Sequence, residues 1–119
     1  MSTPLATPEN SNRAAAAPFL RVDTFEVPTA ALPAFLERVH LSDRLLAELP
    51  GCLQHRVLTR AGDGPGYDIV TIVEWASAAA MAAAKTVMQR RYAEEGFDPP
   101  AFMRSLGVKA SMGSYADAR

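Results

Sequence analysis

The clearest pattern in the chain is an alternation of apolar and polar residues, which marks four segments as strands. Phe19–Val27 alternates between two prolines, and Cys52–Thr59 and Tyr67–Trp75 flank the turn-forming sequence AGDGPG. Lys109–Tyr115 is the last alternating segment. Alternation is typical of strands with one buried face, so the pattern predicts a sheet in which the second and third strands form a hairpin.

The first helix is predicted between the first two strands. Thr29 is suited to be its N-cap, and apolar residues then recur every three or four positions. This apolar stripe slips where Leu41 and Asp43 exchange sides. A restart of the helix capped by Ser42 would account for the slip.

Two further helices follow the third strand. One runs from its N-cap Ser77 to Gly96, and a short one begins after Asp98 and ends at Gly107. The order is therefore β-α-β-β-α-β with one extra helix. That order predicts a ferredoxin-like α+β fold with a four-stranded antiparallel sheet, in which the first and third strands are central.

The strand pattern also divides the sheet into a helix-covered face and an open face, because side chains alternate along a strand. The apolar set expected under the helices is Phe25, Val27, Leu53, Val57, Ile69, Val73 and Trp75. The set expected on the open face is Leu20, Val22, Leu58, Val70, Ile72, Ala110 and Met112. An apolar patch of that size predicts a homodimer in which two sheets pack face to face.

The covered face also carries polar groups that a plain core would not select. They are Arg21, Asp23, His55, Thr71, Ser111 and Tyr115. The second helix adds four residues that share one side: Met81, Lys85, Met88 and Tyr92. Aromatic, methionine and polar groups that face one space predict a small-molecule pocket beside Trp75.

Composition and charge mainly argue against certain classes of partner and site. A net charge of −1 with interspersed signs argues against a nucleic-acid partner, and a lone Cys52 with two distant histidines argues against a disulfide or a metal site. No apolar run approaches the roughly 18 residues of a membrane span. Residues 1–18 lack the apolar centre of a secretory signal. We therefore interpret residues 1–18 as a disordered tail and residues 19–119 as one domain of a cytoplasmic protein.

Three stretches resemble the antibiotic biosynthesis monooxygenase (ABM) family: FLRVDTFEVPTAALPAFLERV, LPGCLQHRVLTR, and DIVTIVEWAS followed by a long helix. The likeness spans Phe19 to Tyr115, and Trp75 matches the family's pocket tryptophan. It implies a dimeric α+β barrel with a substrate cavity between sheet and helices in each subunit. Family members include cofactor-independent oxygenases of aromatic polyketides, quinol oxygenases and haem-degrading enzymes. The haem-degrading branch has an asparagine and an axial histidine where this chain has Asp23 and Lys85, which disfavours haem degradation.

The resulting hypothesis is a cofactor-independent monooxygenase that acts on a small aromatic, quinol or polyketide-like substrate with molecular oxygen as co-substrate. Asp23 or His55 would take a proton from the substrate. The residues assigned to substrate binding are Trp75, Arg21, Phe25, Thr71, Met81, Lys85, Met88 and Tyr92. An alternative is a non-catalytic small-molecule-binding dimer of the same fold.

The individual residues also have structural alternatives. Trp75 could be simple core packing. Asp23 could form a structural pair with Arg21 or Lys85, and Lys85 could reach water at the edge of its helix. His55 could be an ordinary surface residue.

Overall fold

The computed structural model describes residues 17–118, so the tail predicted for residues 1–18 lies almost entirely outside the described residues. The elements are β1 (Phe19–Glu26), a 3₁₀ turn (Thr29–Ala31), α1 (Leu32–Ala47), β2 (Cys52–Thr59), β3 (Ile69–Trp75), α2 (Ala78–Glu95), α3 (Pro99–Leu106) and β4 (Lys109–Tyr115). This order confirms the predicted ferredoxin-like α+β fold. No helix within residues 17–118 has the length and apolar character needed to cross a membrane.

The four strands form one antiparallel sheet in the order β2-β3-β1-β4, with β1 and β3 in the centre as predicted. On β1 and β3 the expected apolar set is buried under the helices, with Phe25 opposite the fully buried Ile69. Val73 and Trp75 continue the same face toward the other end of β3. Because side chains point alternately to the two faces of a strand, these residues define the covered face of the sheet.

The restart predicted in the first helix is wrong. Helix α1 continues without interruption past Ser42, and Thr29 lies in the 3₁₀ turn rather than capping the helix with its side chain. The Ser42 hydroxyl instead hydrogen-bonds the Tyr92 hydroxyl on α2, with 2.9 Å between the oxygens. Asp43 accepts a hydrogen bond from His55 at 2.8 Å. Polar residues interrupt the apolar stripe because they have partners across the fold, so the helix need not break.

The prediction that Leu53 belongs to the buried face is also wrong. A β-bulge between Cys52 and Gln54 leaves Leu53 without a partner on β3, and the residue is 57% exposed. Cys52 takes the place opposite Trp75 and packs against the core around it. Beyond the bulge, His55 and Val57 pair with Val73 and Thr71 and follow the predicted alternation.

The two faces of β4 are the reverse of the prediction. Met112 pairs with Asp23 and Ala110 with Phe25, so these two residues lie on the helix side of the sheet. Ser111 and Tyr115 lie on the open face, where the Tyr115 ring contacts Gly113. The sequence KASMGSY holds two large apolar residues, Met112 and Tyr115, and they fall on opposite faces. Burial pattern alone therefore cannot set the register of this edge strand.

The core consists of two clusters at opposite ends of the sheet. One surrounds Phe25, Phe35 and Ile69, with partly buried residues of α3 packed on it. The other surrounds Val73 and Trp75, with partly buried residues from the ends of α1 and the start of α2 packed on it. The caps predicted at Ser77, Gly96, Asp98 and Gly107 are all present. Helix α1 packs on both clusters, whereas α3 packs on the first and α2 on the second.

Candidate functional site

A cavity of about 750 Å³ lies between the sheet and the helices, bordered by both core clusters. That volume is within the range of sites that enclose drug-sized ligands, about 300–1,000 Å³. Phe25 and Phe35 line it from one cluster, and Val73 and Trp75 line it from the other. Most of the wall is apolar, with polar groups concentrated at a few places. Such a wall suits a flat organic molecule with few polar substituents.

The cavity is lined by most of the residues that the sequence predicts to be site residues. Those that line it are Arg21, Asp23, Phe25, Thr71, Trp75, Met81, Lys85, Met88 and Tyr92. Lys85 is exposed at the edge of α2, as a solvated lysine would be. These residues meet because every second side chain along β1 and β3 faces the helices.

Trp75 is both core and cavity wall. The residue is 2% exposed and packs with Val73 and Ala84. Leu46, at the end of α1, and Met81, at the start of α2, also pack against this cluster and line the cavity. A ligand in the cavity would therefore meet an indole whose position is already fixed by packing.

Asp23 and Arg21 form the polar centre of the sheet wall. Arg21 Nε donates a hydrogen bond to Asp23 Oδ1 at 2.9 Å, and both side chains are partly buried. Burial raises the pKa of Asp23 above its usual value, while the charge and hydrogen bond of Arg21 and a backbone hydrogen bond at Gly113 counteract this only in part. A carboxylate with a raised pKa in an apolar cavity is a better proton acceptor than one in water.

His55 does not line the cavity, in contrast to the prediction that it shares a pocket with Asp23. Its Nδ1 is held by the carboxylate of Asp43 at 2.8 Å, and its side chain is 41% exposed. Asp43 itself lines the cavity. The imidazole thus occupies the outer end of a short polar link between the cavity wall and solvent.

The surroundings of Cys52 make it a packing residue. It lies opposite Trp75 in the sheet and packs on that cluster. Burial and the nearby Asp43 carboxylate raise the pKa of the Cys52 thiol. A thiol that stays protonated is a weak nucleophile, so this environment does not activate it.

Several cavity residues were missed from the sequence. Every methionine in residues 17–118 lines the cavity, which adds Met103 and Met112 to the two predicted. Met112 was not predicted to line the cavity because the sequence pattern assigned it to the open face of β4. Arg38 was missed because α1 shows only an apolar stripe, and nothing in the sequence indicates which charged residue beside that stripe turns inward. Phe97 was missed because it lies between α2 and α3, outside any periodic pattern.

A haem group does not fit the donors in the described residues. Both histidines of the chain lie in that part, His40 exposed on α1 and His55 on β2, and neither lines the cavity. Within residues 17–118 no three side chains of histidine, cysteine, aspartate or glutamate cluster as metal ligands. The cavity wall therefore offers no axial imidazole to a haem iron.

Comparison of folds connects this architecture to known proteins. SnoaB, a cofactor-independent oxygenase from Streptomyces nogalater, matches over 87% of this chain and 96% of its own, with 27% identity and a TM-score of 0.57. The chain has the fold of the antibiotic biosynthesis monooxygenases, since a putative one from Deinococcus radiodurans matches it with a TM-score of 0.65 at 14% identity, over 85% of this chain and 93% of its own. The resemblance found in the three sequence stretches is thereby confirmed, and the monooxygenase-like architecture extends over nearly all of the described residues.

Two other structural neighbours show how varied this fold is. A dimeric ferredoxin-like protein from an uncultured marine organism matches over 86% of this chain and 96% of its own, with 13% identity and a TM-score of 0.64. A mutant of MhuD that binds two manganese protoporphyrins per active site matches over 85% and 95%, with 19% identity and a TM-score of 0.63. The sequence matches no protein-family model and no curated protein. Activity must therefore be argued from the cavity itself.

Proposed function

We propose that the protein is a cofactor-independent monooxygenase that oxidises a flat, electron-rich aromatic substrate with O₂. The observation that carries this proposal is Asp23, a partly buried carboxylate with a raised pKa that shares an apolar cavity with the indole of Trp75. The similarity to SnoaB supports the same reaction class. The cavity provides a ring-binding wall and a base, which are the two groups that such a reaction requires from the protein.

The proposed reaction begins with proton transfer from an acidic C–H or O–H of the substrate to Asp23. The resulting anion is electron-rich enough to pass one electron to O₂, and the radical pair then combines into a peroxide. Loss of water leaves a carbonyl, so that RH₂ + O₂ gives R=O + H₂O. One oxygen atom enters the product, the other leaves as water, and the substrate supplies all the electrons.

The cavity residues have separate parts in this scheme. Trp75, Phe25, Met81 and Met88 hold the ring, and methionine sulfur contacts an aromatic edge favourably. Thr71 and Tyr92 offer hydroxyl groups that can orient a substrate oxygen. Arg21 stays beside the negative charge as it moves from carboxylate to substrate, and Lys85 can approach from the cavity edge.

We also propose that the protein works as a homodimer joined through the open sheet face. The apolar residues on that face are Leu20, Val22, Leu58, Val70, Ile72 and Tyr115. They differ from the predicted set at β4, where Tyr115 replaces Ala110 and Met112. An apolar face of this extent favours association with an equivalent face, and the marine neighbour is itself dimeric.

An oxygen-uptake assay with anthrone tests the proposed reaction, because anthrone is a three-ring ketone with an acidic CH₂. The proposal expects O₂ consumption above the spontaneous rate and formation of anthraquinone by wild type. Asp23→Asn keeps the size of the side chain but removes the base, so it should lower the rate by about a hundredfold or more. Anthraquinone binding with no catalysed O₂ uptake would favour a non-catalytic binding protein. Equal rates for wild type and Asp23→Asn would exclude Asp23 as the base.

A further inference from the structure

The methionines of the described residues are concentrated around the cavity. All four methionines of residues 17–118 line it, namely Met81, Met88, Met103 and Met112. A peroxide can convert the thioether of methionine to a sulfoxide, which turns a flexible apolar side chain into a polar one. The effect of such a change depends on which sulfur the peroxide reaches and on which groups lie beside that sulfur.

Met112 is the most accessible of these four residues. It is 48% exposed, whereas Met88 is 6% exposed and Met81 and Met103 are partly buried. The Ser114 hydroxyl also donates to the sulfur of Met81 at 3.9 Å, which leaves that sulfur less available to an oxidant. Strand β4 lies at the edge of the sheet, so no other strand within residues 17–118 covers its outer side. Solvent therefore reaches the cavity wall at Met112.

Met112 is also the residue of β4 that pairs with Asp23 on β1, and both side chains face the helices. Directly opposed residues of an antiparallel pair have Cβ atoms about 4.5–5.5 Å apart. The carboxyl group of Asp23 accepts a backbone hydrogen bond from Gly113, the residue after Met112. It also accepts the hydrogen bond from Arg21 Nε at 2.9 Å. The most accessible thioether of the cavity is thus a direct neighbour of its partly buried carboxyl group.

A sulfoxide at this position would change the surroundings of Asp23. The sulfoxide oxygen accepts hydrogen bonds and has no proton to donate, so it bonds the carboxylic acid but repels the carboxylate. It can also accept a hydrogen bond from Arg21 and so compete with Asp23 for that donor. Both effects favour the protonated acid and raise the pKa of Asp23 further. The other charged residues that line the cavity are not altered by oxidation of the sulfur: Arg38, Asp43, Lys85 and Asp98.

We propose that Met112 is a site of reversible oxidation by hydrogen peroxide, and that its sulfoxide keeps the neighbouring Asp23 protonated. In this step R–S–CH₃ + H₂O₂ gives R–S(O)–CH₃ + H₂O. The sulfur forms a bond to one peroxide oxygen, the O–O bond breaks, and the proton of the transferred oxygen leaves with the other oxygen as water. Sulfur loses two electrons and the peroxide gains them. A dithiol reverses the change by taking the oxygen away as water while it becomes a disulfide.

This modification goes beyond the proposed function and does not depend on it, because the oxidant is supplied from solution. It has a consequence for that function, since Asp23 is the base of the proposed reaction. A protein in which Asp23 stays protonated would lose the capacity to take a proton from a substrate.

Peptide mass spectrometry after brief treatment with hydrogen peroxide tests the site of oxidation. Among the four methionines of residues 17–118, Met112 should gain an oxygen atom first, roughly tenfold or more faster than Met88. Sulfoxide reductases for the two sulfoxide epimers, supplied with a dithiol, should remove this oxygen. Earlier oxidation of another of these methionines, or oxygen on Met112 that the reductases cannot remove, would overturn the proposal.

A ¹³C NMR titration of the aspartate carboxyl groups tests the effect on Asp23, whose signal is the one absent from Asp23→Asn. The titration midpoint of wild type should move to higher pH on oxidation and return on reduction. Met112→Leu has a similar volume without the sulfur, so the same treatment should leave its midpoint in place. Met103→Leu, the matched control on α3, should respond as wild type does.

Two results of this titration would contradict the proposal. One is an unchanged midpoint in wild type whose Met112 is fully oxidised, and the other is an equal movement of the midpoint in Met112→Leu. Wild type before and after oxidation decides the matter should Met112→Leu fail to fold. Neither measurement involves turnover, so both are independent of whether the protein consumes O₂.

Discussion

Replacement of Trp75 by phenylalanine separates the packing role of this residue from its role in binding. Trp75 is 2% exposed, and the change removes roughly 50 Å² of buried ring surface, worth about 1 kcal/mol of unfolding free energy at about 25 cal/mol per Å². The additional void adjoins a cavity that is already open, so we expect little further cost from it. The melting temperature should fall by about 4–8 °C.

The same substitution should weaken ligand binding as well. Loss of ring overlap with an aromatic ligand is worth about 0.5–1.5 kcal/mol, which corresponds to a roughly 2–12-fold higher dissociation constant. Stability would be followed by far-ultraviolet circular dichroism and binding of anthraquinone-2-carboxylate by calorimetry, since neither method depends on tryptophan emission.

Ile69→Val is the matched control for this experiment. Ile69 is fully buried in the other core cluster and does not line the cavity. Removing one methyl group here should lower the unfolding free energy by about 0.5–1.5 kcal/mol, a loss similar to that of Trp75→Phe, without changing ligand affinity. If Trp75→Phe and Ile69→Val are equally destabilised and bind the ligand equally well, Trp75 is a packing residue and the assignment of the ring-binding wall is wrong.

Three further perturbations test the structure from other directions. The unfolded chain releases the Asp23 proton at a lower pH than the native protein does. Wild type should therefore lose stability relative to Asp23→Asn as the pH rises from the pKa of Asp23 in the unfolded chain to its pKa in the native protein. A difference in unfolding free energy between the two proteins that stays constant in urea titrations across pH 3–7 would refute the raised pKa. Ile72→Lys would bury an unpaired charge in the open sheet face and should give monomers or aggregates by light scattering, whereas an unchanged dimer would show that another surface associates. Asp43→Asn removes a carboxylate that raises the Cys52 pKa, so more of the thiol should be ionised near pH 8. Cys52 should then react several times faster with a thiol reagent, and an unchanged rate would refute the effect of Asp43 on this thiol.

Strong local patterns accounted for most of the fold and for the sheet side of the site. On β3 the residues of largest apolar area, Ile69, Val73 and Trp75, share one face, so their positions under the helices could be predicted with their neighbours on β1. Ser77 and Gly96 mark helix ends by their own side-chain and backbone chemistry, and both were identified correctly.

The predictions that were wrong concern residues whose position depends on a contact with a distant part of the chain. The β4 register depends on pairing with β1, because its own apolar residues fall on both faces and favour neither. The bulge at Leu53 places a leucine in water and Cys52 in the core, and no residue type near it requires a bulge. Ser42 resembles a helix cap, but it bonds Tyr92 on another helix. Arg38 resembles a surface residue until Phe97 provides the ring on which it stacks.

Oxygen-isotope labelling tests most directly whether this cavity performs a cofactor-free monooxygenation governed by Asp23. Protein freed of metals by chelation and free of bound flavin would be supplied with anthrone under ¹⁸O₂, and the anthraquinone formed would be examined by mass spectrometry. We expect one ¹⁸O atom in each product molecule, and we expect wild type, but not Asp23→Asn, to form this product faster than protein-free buffer does. Product formed at the spontaneous rate, or equally by wild type and Asp23→Asn, would contradict this expectation.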